Sequence, residues 1–524
     1  MDIDNLTSAT LRRFVVTFSN PLTRRITDYL RGHQLGPENP LAVLGADGKP
    51  LSTDFEGQVS YWTGDLLPSS DPRYGKQVQA LRKSFVFRNV TLEGVEMLAD
   101  GVGADEPDWG FTVSRPLGDD EKPTEDEEAL IRELEGILTS WWDRRDLPGL
   151  LQTALVTAIA HGRQPVRPRI PDRFRDSEGR LKQQPPEKSL DGLWLTLPDV
   201  ADSGIYTDPD TLEDYGLTRL SLPVPGGGTR DGWELTRLDE DGRTIVRSIT
   251  PDGDGTDSGA LDLGGQLWLL ELRFARGAVT RDVLANQDAL NVGLTSLSRN
   301  TRWAAFEKTI LLGVDPPLDD DGRIKPLTGP GAESYLQPSV AREVETQTGP
   351  DGQQVEVSRE RMYPGASVNK LDPAEPKAIQ AAIDQATANI YSILRQRFML
   401  MDDQATVSGR SREVATGSYL RAVARYGVTV EAFIRALLML AARVSAIVQG
   451  RPGRYDGLRP VVTCRQRVFE PSADAITTYQ ALQQAGVISL QTLRGLAGIA
   501  DPDAEQQQID RERGTSPPQP KPQP

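Results

Sequence analysis

The feature that most limits what this chain can fold into is a pair of long helical patterns held apart by an intervening stretch. One runs through 280–314 and the other through 373–399, and the segment Asp315 to Asp372 between them is rich in turn residues, with a β-type run at Val355 to Ser358. Helices joined by a short loop fold back on each other; a connection this long has to carry structure of its own. The returning pattern places Ile379, Ile383, Ala386, Ile390, Ile393, Leu394 and Phe398 on one stripe, the spacing of an amphipathic helix with one buried face. The outgoing pattern, TRDVLANQDALNVGLTSLSRNTRWAAFEKTILLGV, is rich in Asn, Ser and Thr and reads as too polar for a core helix.

After the second helix, Met401 to Gly417 (MDDQATVSGRSREVATG) breaks the pattern with Gly, Ser and paired charges, and Ser418 to Val448 resumes as a long apolar helix. A strand is expected over Arg459 to Arg467. Cys464, the single cysteine of the chain, sits in that apolar run, where a small buried residue fits better than a redox role.

The N-terminal part is α+β. Thr124 with Glu127 three residues on forms a capping-box pattern that opens an acidic first turn and the helical series Leu130, Ile131, Leu134, Ile137, Leu138 and Trp141. Gly149 to Ala160 is apolar nearly all round, as a buried helix is. Arg163 to Pro186 repeats Pro and Arg without periodicity and is expected to be an extended excursion outside any core strand. Short β-type runs follow at Leu193–Leu197, Leu217–Pro223, Glu234–Leu238, Thr244–Ile249 and Gln266–Phe274, divided by turns such as those at 225–232 and 251–259. With 48 Gly and 38 Pro, loops form a large share of the chain.

Several functions lose support on composition and motif. The excess of 75 Asp and Glu over 59 Lys and Arg, a formal charge of −16, opposes tight sequence-independent DNA binding, which releases counterions through basic side chains. No phosphate-binding loop is present, since Gly48-Lys49 and Gly75-Lys76 lack the preceding glycine and following hydroxyl. Neither a Gly-x-Ser-x-Gly elbow nor a His-Glu-x-x-His pair occurs, and His33 and His161 stand far apart without companion cysteines. Asp252, Asp254 and Asp257 alternate with glycine but miss the calcium-loop spacing, and Asp319 to Asp321 read likewise as a solvated turn. No catalytic residues, metal site or cofactor are expected. No basic leader precedes an apolar stretch at MDIDNLTSAT, and no run of eighteen apolar residues suits a membrane span.

The order of elements from about 280 to 512 resembles the portal proteins of tailed bacteriophages, of the siphovirus type. Its best match lies at the C-terminal end: the strand RPVVTCRQR, an acidic and Pro-containing turn, a helix, a Gly-Val-Ile-Ser step at Gly486, Val487, Ile488 and Ser489, a second helix, and the Asp501-Pro502-x-x-Glu505 pattern. Physically, Gly486 ends one helix, Ser489 caps the next and Asp501-Pro502 stops it, which taken alone is a common helix-turn-helix. The segment 280–314 is similar to the family's first stem helix, and RMYPGASVNKLDP at 361–373 to the return from clip to stem.

The resemblance implies an α+β portal fold assembled as a ring. Residues 1–279 would form an α/β wing, 280–308 the first stem helix, 309–372 a small α/β clip and 373–400 the second stem helix. Residues 401–417 would be a tunnel loop, 418–469 the wing helix and strand, 470–512 a helical crown and 513–524 a disordered Pro/Gln-rich tail. In the tunnel loop, Asp402, Asp403, Ser408, Arg410, Arg412 and Glu413 would face the DNA channel, and Ile379, Ile383, Ile390 and Leu394 would pack between subunits. The implied partners are further copies in a dodecameric ring, double-stranded DNA passing through it, a terminase motor, a head-tail adaptor, and the major capsid and scaffolding proteins, at the capsid vertex of a virion. An acidic ring would repel a duplex that carries one negative charge per ~1.7 Å, keeping it centred without deep phosphate traps. Against this stand two other expectations, a different head-tail connector and a Mg²⁺-dependent phage DNA enzyme built on scattered carboxylates.

Overall fold

A computed structural model describes residues 18, 21–32, 86–116, 122–176, 180–223, 229–250, 255–257, 259–305, 309–312, 334–336, 340–348, 350, 354–362, 367–370, 376–400, 409–465, 480–481 and 483–484. These residues divide into two units. One draws on α1 (Pro21–Leu30), on Asn89–Leu284 and on the chain from Ala388 onward; the other takes 86–88 and Ala285–Thr387. No described helix is long and apolar enough to cross a membrane.

In the first unit, α2 (Val90–Val102) starts where the Asn89 side chain accepts from the Leu92 N–H at 3.1 Å and donates to the Tyr29 carbonyl at 2.6 Å. Strand β1 (Asp108–Val113) leads to α3 (Glu125–Arg144), whose capping box is complete: the Glu127 N–H donates to Thr124 Oγ1 and the Thr124 N–H to Glu127. Arg115 Nε and Nη2 each donate a bond of 3.0 Å to the same carboxylate, which together with the backbone hold Glu127 down to about 2. Leu134, Ile137, Leu138, Trp141 and Trp142 are buried. Next, α4 (Leu147–His161) buries seven apolar side chains from Leu147 to Ala160 along one face, while Gly149 and Thr153 are exposed, and ends on Gly162 at φ +90°.

The Pro/Arg segment departs from expectation, because Arg163–Arg169 is strand β2 and lies between two partners. Its first half pairs with β9 (Leu270–Arg273) and its second half with β3 (Trp194–Thr196). Each half therefore has one neighbour only, so Pro165 and Pro168 can turn their missing donors to the unpaired side. Two of its three arginines are neutralised in place. Arg167 grips Glu234 through two bonds of 2.7 and 2.6 Å, while Arg163 reaches Glu271 at 3.3 Å and stacks over Phe18.

Strands β4 (Ser203–Thr207), β5 (Asp214–Pro223), β6 (Thr229–Leu238), β7 (Thr244–Ile249) and β8 (Gly255–Asp257) form an antiparallel meander in that order. Its core is Phe18, Tyr215, Leu217, Trp233, Leu235 and Ile249. Asp257, expected in a turn, belongs to β8 with Arg247 at 3.7 Å; Asp252 and Asp254 lie outside the described residues.

Helix α5 (Arg281–Ala305) carries the chain into the second unit, where Thr309–Leu312 is strand β10 and not a continuation of the helix. With β11 (Ser334–Leu336), β12 (Val340–Thr348), β13 (Gln354–Met362) and β14 (Ser367–Lys370) it builds two small sheets, ordered β11-β10-β14 and β12-β13. The excursion between the two helices thus has its own regular structure, as its length demands. Helix α6 (Pro376–Ile393) returns the chain to the first unit. Finally α7 (Gly409–Val448) and β15 (Leu458–Thr463) follow, and β15 pairs antiparallel with β1 along its full length, Asp108 opposite Thr463. Cys464 is buried just beyond β15, and burial pushes its thiol up to about 12, so it stays protonated.

Candidate functional site

The polar helix α5 is not solvent-facing in its middle. Gln287, Asn291 and Thr295 fall at i, i+4 and i+8, one face of a helix, and all three are buried. Their side chains bond the extended backbone of 86–88. The Val86 N–H donates to Thr295 Oγ1 at 3.0 Å, the Arg88 N–H donates to Asn291 Oδ1 at 3.3 Å, and Gln287 Nε2 donates to the Arg88 carbonyl at 2.6 Å. Residues 86–88 are themselves exposed, but the backbone edge they turn to α5 is half-buried and needs partners; a ladder of amide and hydroxyl side chains supplies them. The expectation that α5 is too polar for burial is corrected by this pairing.

Most of the hydrophobic stripe of α6 is buried within the chain itself, whereas Ile393 is 40% exposed. Ile390 and Leu394 are 0% and 2% exposed and Ile383 is 7% exposed, with Gly293 of α5 lying against Ile383. Leu394 packs on Gly94 of α2, where any side chain would collide. Ile383, Ile390 and Leu394 are thus buried within the single chain, and Ile379 is half-buried. The interruption expected over Met401 to Gly417 is shorter than the sequence implied, because α7 already begins at Gly409. Arg410, Arg412 and Glu413 thus stand in the first turns of a helix and not in a loop, while Asp402, Asp403 and Ser408 lie outside the described residues. So do His33, Asp319 to Asp321 and the stretch from Gly486 to Glu505.

The end of α6 supplies the most unusual backbone in this region. The Arg395 N–H donates to the Ser392 carbonyl at 3.2 Å and the Gln396 N–H to the Tyr391 carbonyl at 2.7 Å, the paired bonds of a helix end that turns through a left-handed residue. That residue is Arg395, at φ +63°, where glycine is the ordinary choice because it has no Cβ to clash.

Arg395 lines a cleft of about 480 Å³ in the first unit together with Arg276 and Arg425. Arg276 sits in the loop after β9, and that loop is pinned by the last turn of α4 and its cap: the Ala278, Val279 and Phe274 N–H groups donate to the carbonyls of Ile159, Ala160 and Gly162. These are carbonyls that a helix end leaves without internal partners. Arg425 comes from α7, one residue before Tyr426, whose ring meets Phe274 edge-on at 4.7 Å. Burial raises the Tyr426 hydroxyl, opposed by the three nearby guanidiniums of Arg395, Arg425 and Arg276. Asp282 also lines the cleft. Sequence reasoning passed over all three arginines; the only sign was an arginine directly after the apolar stripe, at Leu394-Arg395, where a helix-ending glycine is usual.

Among the described residues no group of three or more His, Cys, Asp or Glu side chains is placed to hold a metal ion. His161 has Thr27 Oγ1 at 3.4 Å from its Nε2, and burial, opposed by the nearby Asp199 carboxylate, pushes its ring down to about 4. No protein-family model matches this sequence, and no curated protein matches it.

Proposed function

We propose that this chain is the portal subunit of a tailed bacteriophage, one member of a ring through which double-stranded DNA enters and leaves the capsid. The observation that carries this reading is the order of elements: a helix, a β-built insertion of five described strands, a returning helix, then a 40-residue helix followed by a strand. In the portal reading α5 and α6 are the stem, β10 to β14 the clip, and α7 with β15 the end of the wing. The separation of Ala285–Thr387 from the rest as its own unit supports it further, since a stem and clip are a projection and not part of a wing core.

In this role the subunit is a conduit. Its charge of −16 repels the duplex and keeps friction low, so the force for packaging comes from a separate terminase docked on the clip. The purified protein is expected neither to hydrolyse ATP nor to cleave DNA with Mg²⁺. Negative-stain electron microscopy of the purified full-length chain tests the assembly. Wide rings with a central hole are expected; a protein that stays monomeric at every concentration, or forms closed particles without a hole, overturns the reading.

A further inference from the structure

The arginine cleft has no part in the conduit role described above. Several arginines of the first unit pair with carboxylates, among them Arg115 with Glu127, Arg163 with Glu271, Arg167 with Glu234, Arg219 with Asp231 and Arg454 with Glu133. Among the described residues no carboxylate forms an ion pair with Arg276, Arg395 or Arg425, although acidic residues outnumber basic ones by 75 to 59. Arg276 and Arg425 are exposed and Arg395 is half-buried, and an anion seated among the three would be held by all of them. Their planar forks match the oxygens of a phosphate. The single carboxylate in the lining, Asp282, engages a partner of its own and leaves an excess of positive charge.

The backbone adds a second, independent argument. At the end of α6 glycine would satisfy the same cap without strain, yet the position is filled by an arginine whose side chain lines the cleft. Residues held in disfavoured conformations mark places where the side chain is needed. The volume, about 480 Å³, falls in the range that holds a small ligand, and Phe274 with Tyr426 gives an apolar wall beside the charged one.

We infer that this cleft binds a phosphate group, held by the guanidiniums of Arg276, Arg395 and Arg425 with Phe274 and Tyr426 flanking it. The phosphate can be that of a free nucleotide or inorganic phosphate, or that of a DNA backbone, and the inference does not depend on ring formation.

Isothermal titration calorimetry on the full-length protein at low salt tests it with three probes: inorganic phosphate, thymidine 5′-monophosphate and a 12-base-pair duplex. Binding of at least one probe is expected, weakened tenfold or more in Arg395→Gly and in Arg425→Gln. Arg395→Gly keeps the helix cap and relieves its strain, so its melting temperature should equal or exceed the wild type's, separating lost binding from lost folding. Binding of phosphate or the nucleotide without the duplex assigns a free ligand; duplex binding lost in the same variants assigns the backbone. If the wild type binds no probe, or if both variants bind as the wild type does, the site does not exist.

Discussion

Helices α4 and α5 are both buried along one face, by opposite chemistry. The first meets its surroundings with Leu151, Leu155 and Ile159, and its only polar demand is at its ends, where the following loop accepts the task. The second buries Gln287, Asn291 and Thr295 and directs their hydrogen bonds to the extended segment 86–88. Apolar burial is non-directional and tolerates repacking, whereas a polar ladder fixes register, because a shift by one residue would leave every group unmet. A helix that has to hold a particular alignment gains from the second arrangement; one that only has to fill space gains from the first.

Four measurements can break or sharpen this contrast. The largest effect is expected for Leu155→Ala, which removes a fully buried side chain from α4 and should cost about 2–5 kcal/mol, read by urea denaturation. Hydrogen exchange should confine the loss to the first unit; equal loss in the second would mean the two are not separate folding units.

His161, the last residue of α4, adds a pH arm. Its folded pKa of about 4 lies below the ordinary 6.5, so the neutral ring is favoured on folding. That stability is complete above pH 6.5 and is lost as pH falls from 6.5 towards 4, amounting to about 3 kcal/mol. His161→Gln should flatten this window relative to wild type. An unchanged slope would show that carboxylates, and not this ring, govern it.

On α5 the test is Asn291→Leu, which keeps volume but removes the acceptor of the Arg88 N–H. The cost should be about 1–2 kcal/mol, the loss of a part-buried hydrogen bond, with exchange accelerated at 86–88. If the variant is as stable as wild type, the ladder is decoration and burial of α5 is apolar after all. The smallest effect has the opposite sign: Arg395→Gly should stabilise by about 1 kcal/mol, because glycine adopts the left-handed cap without strain. Thermal melting checks it, and a destabilised variant would mean that the arginine side chain holds α6 in place.

How much of this was visible in the sequence depends on whether a residue's partner was nearby. The capping box of α3 was legible because Thr124 and Glu127 satisfy each other within three residues. The strands from β5 to β7 were legible from local alternation and turns. Strand β2 was misread because its arginines looked solvated, and the carboxylates that neutralise Arg163 and Arg167 lie at Glu271 and Glu234, far along the chain. The polarity of α5 misled in the same way, its partners being backbone groups at Val86 and Arg88, whose identities leave no trace in the residue pattern. The stripe on α6 announced burial but not whose atoms would provide it. The start of α7 was placed nine residues late, at Ser418 instead of Gly409, because Gly, Ser and paired charges lower helix propensity without forbidding a helix. Of the arginine cleft, only the unexpected residue after Leu394 was written locally.

The pairing of β1 with β15 sets a timetable for the newborn chain. Asp108 and Thr463 are separated by about 350 residues, and at the 5–20 residues per second of translation roughly tens of seconds pass between their appearances. Through that interval β1 exists with the hydrogen-bonding edge that β15 will occupy still open, Trp109 beside Trp142 near its start. An open edge is a template for any other extended chain. Polysomes bring many such nascent copies close together, so the period before Leu458–Thr463 leaves the ribosome is when strand exchange between neighbours competes with closure. A chaperone that shields Asp108–Val113 until then would raise yield without touching the finished fold.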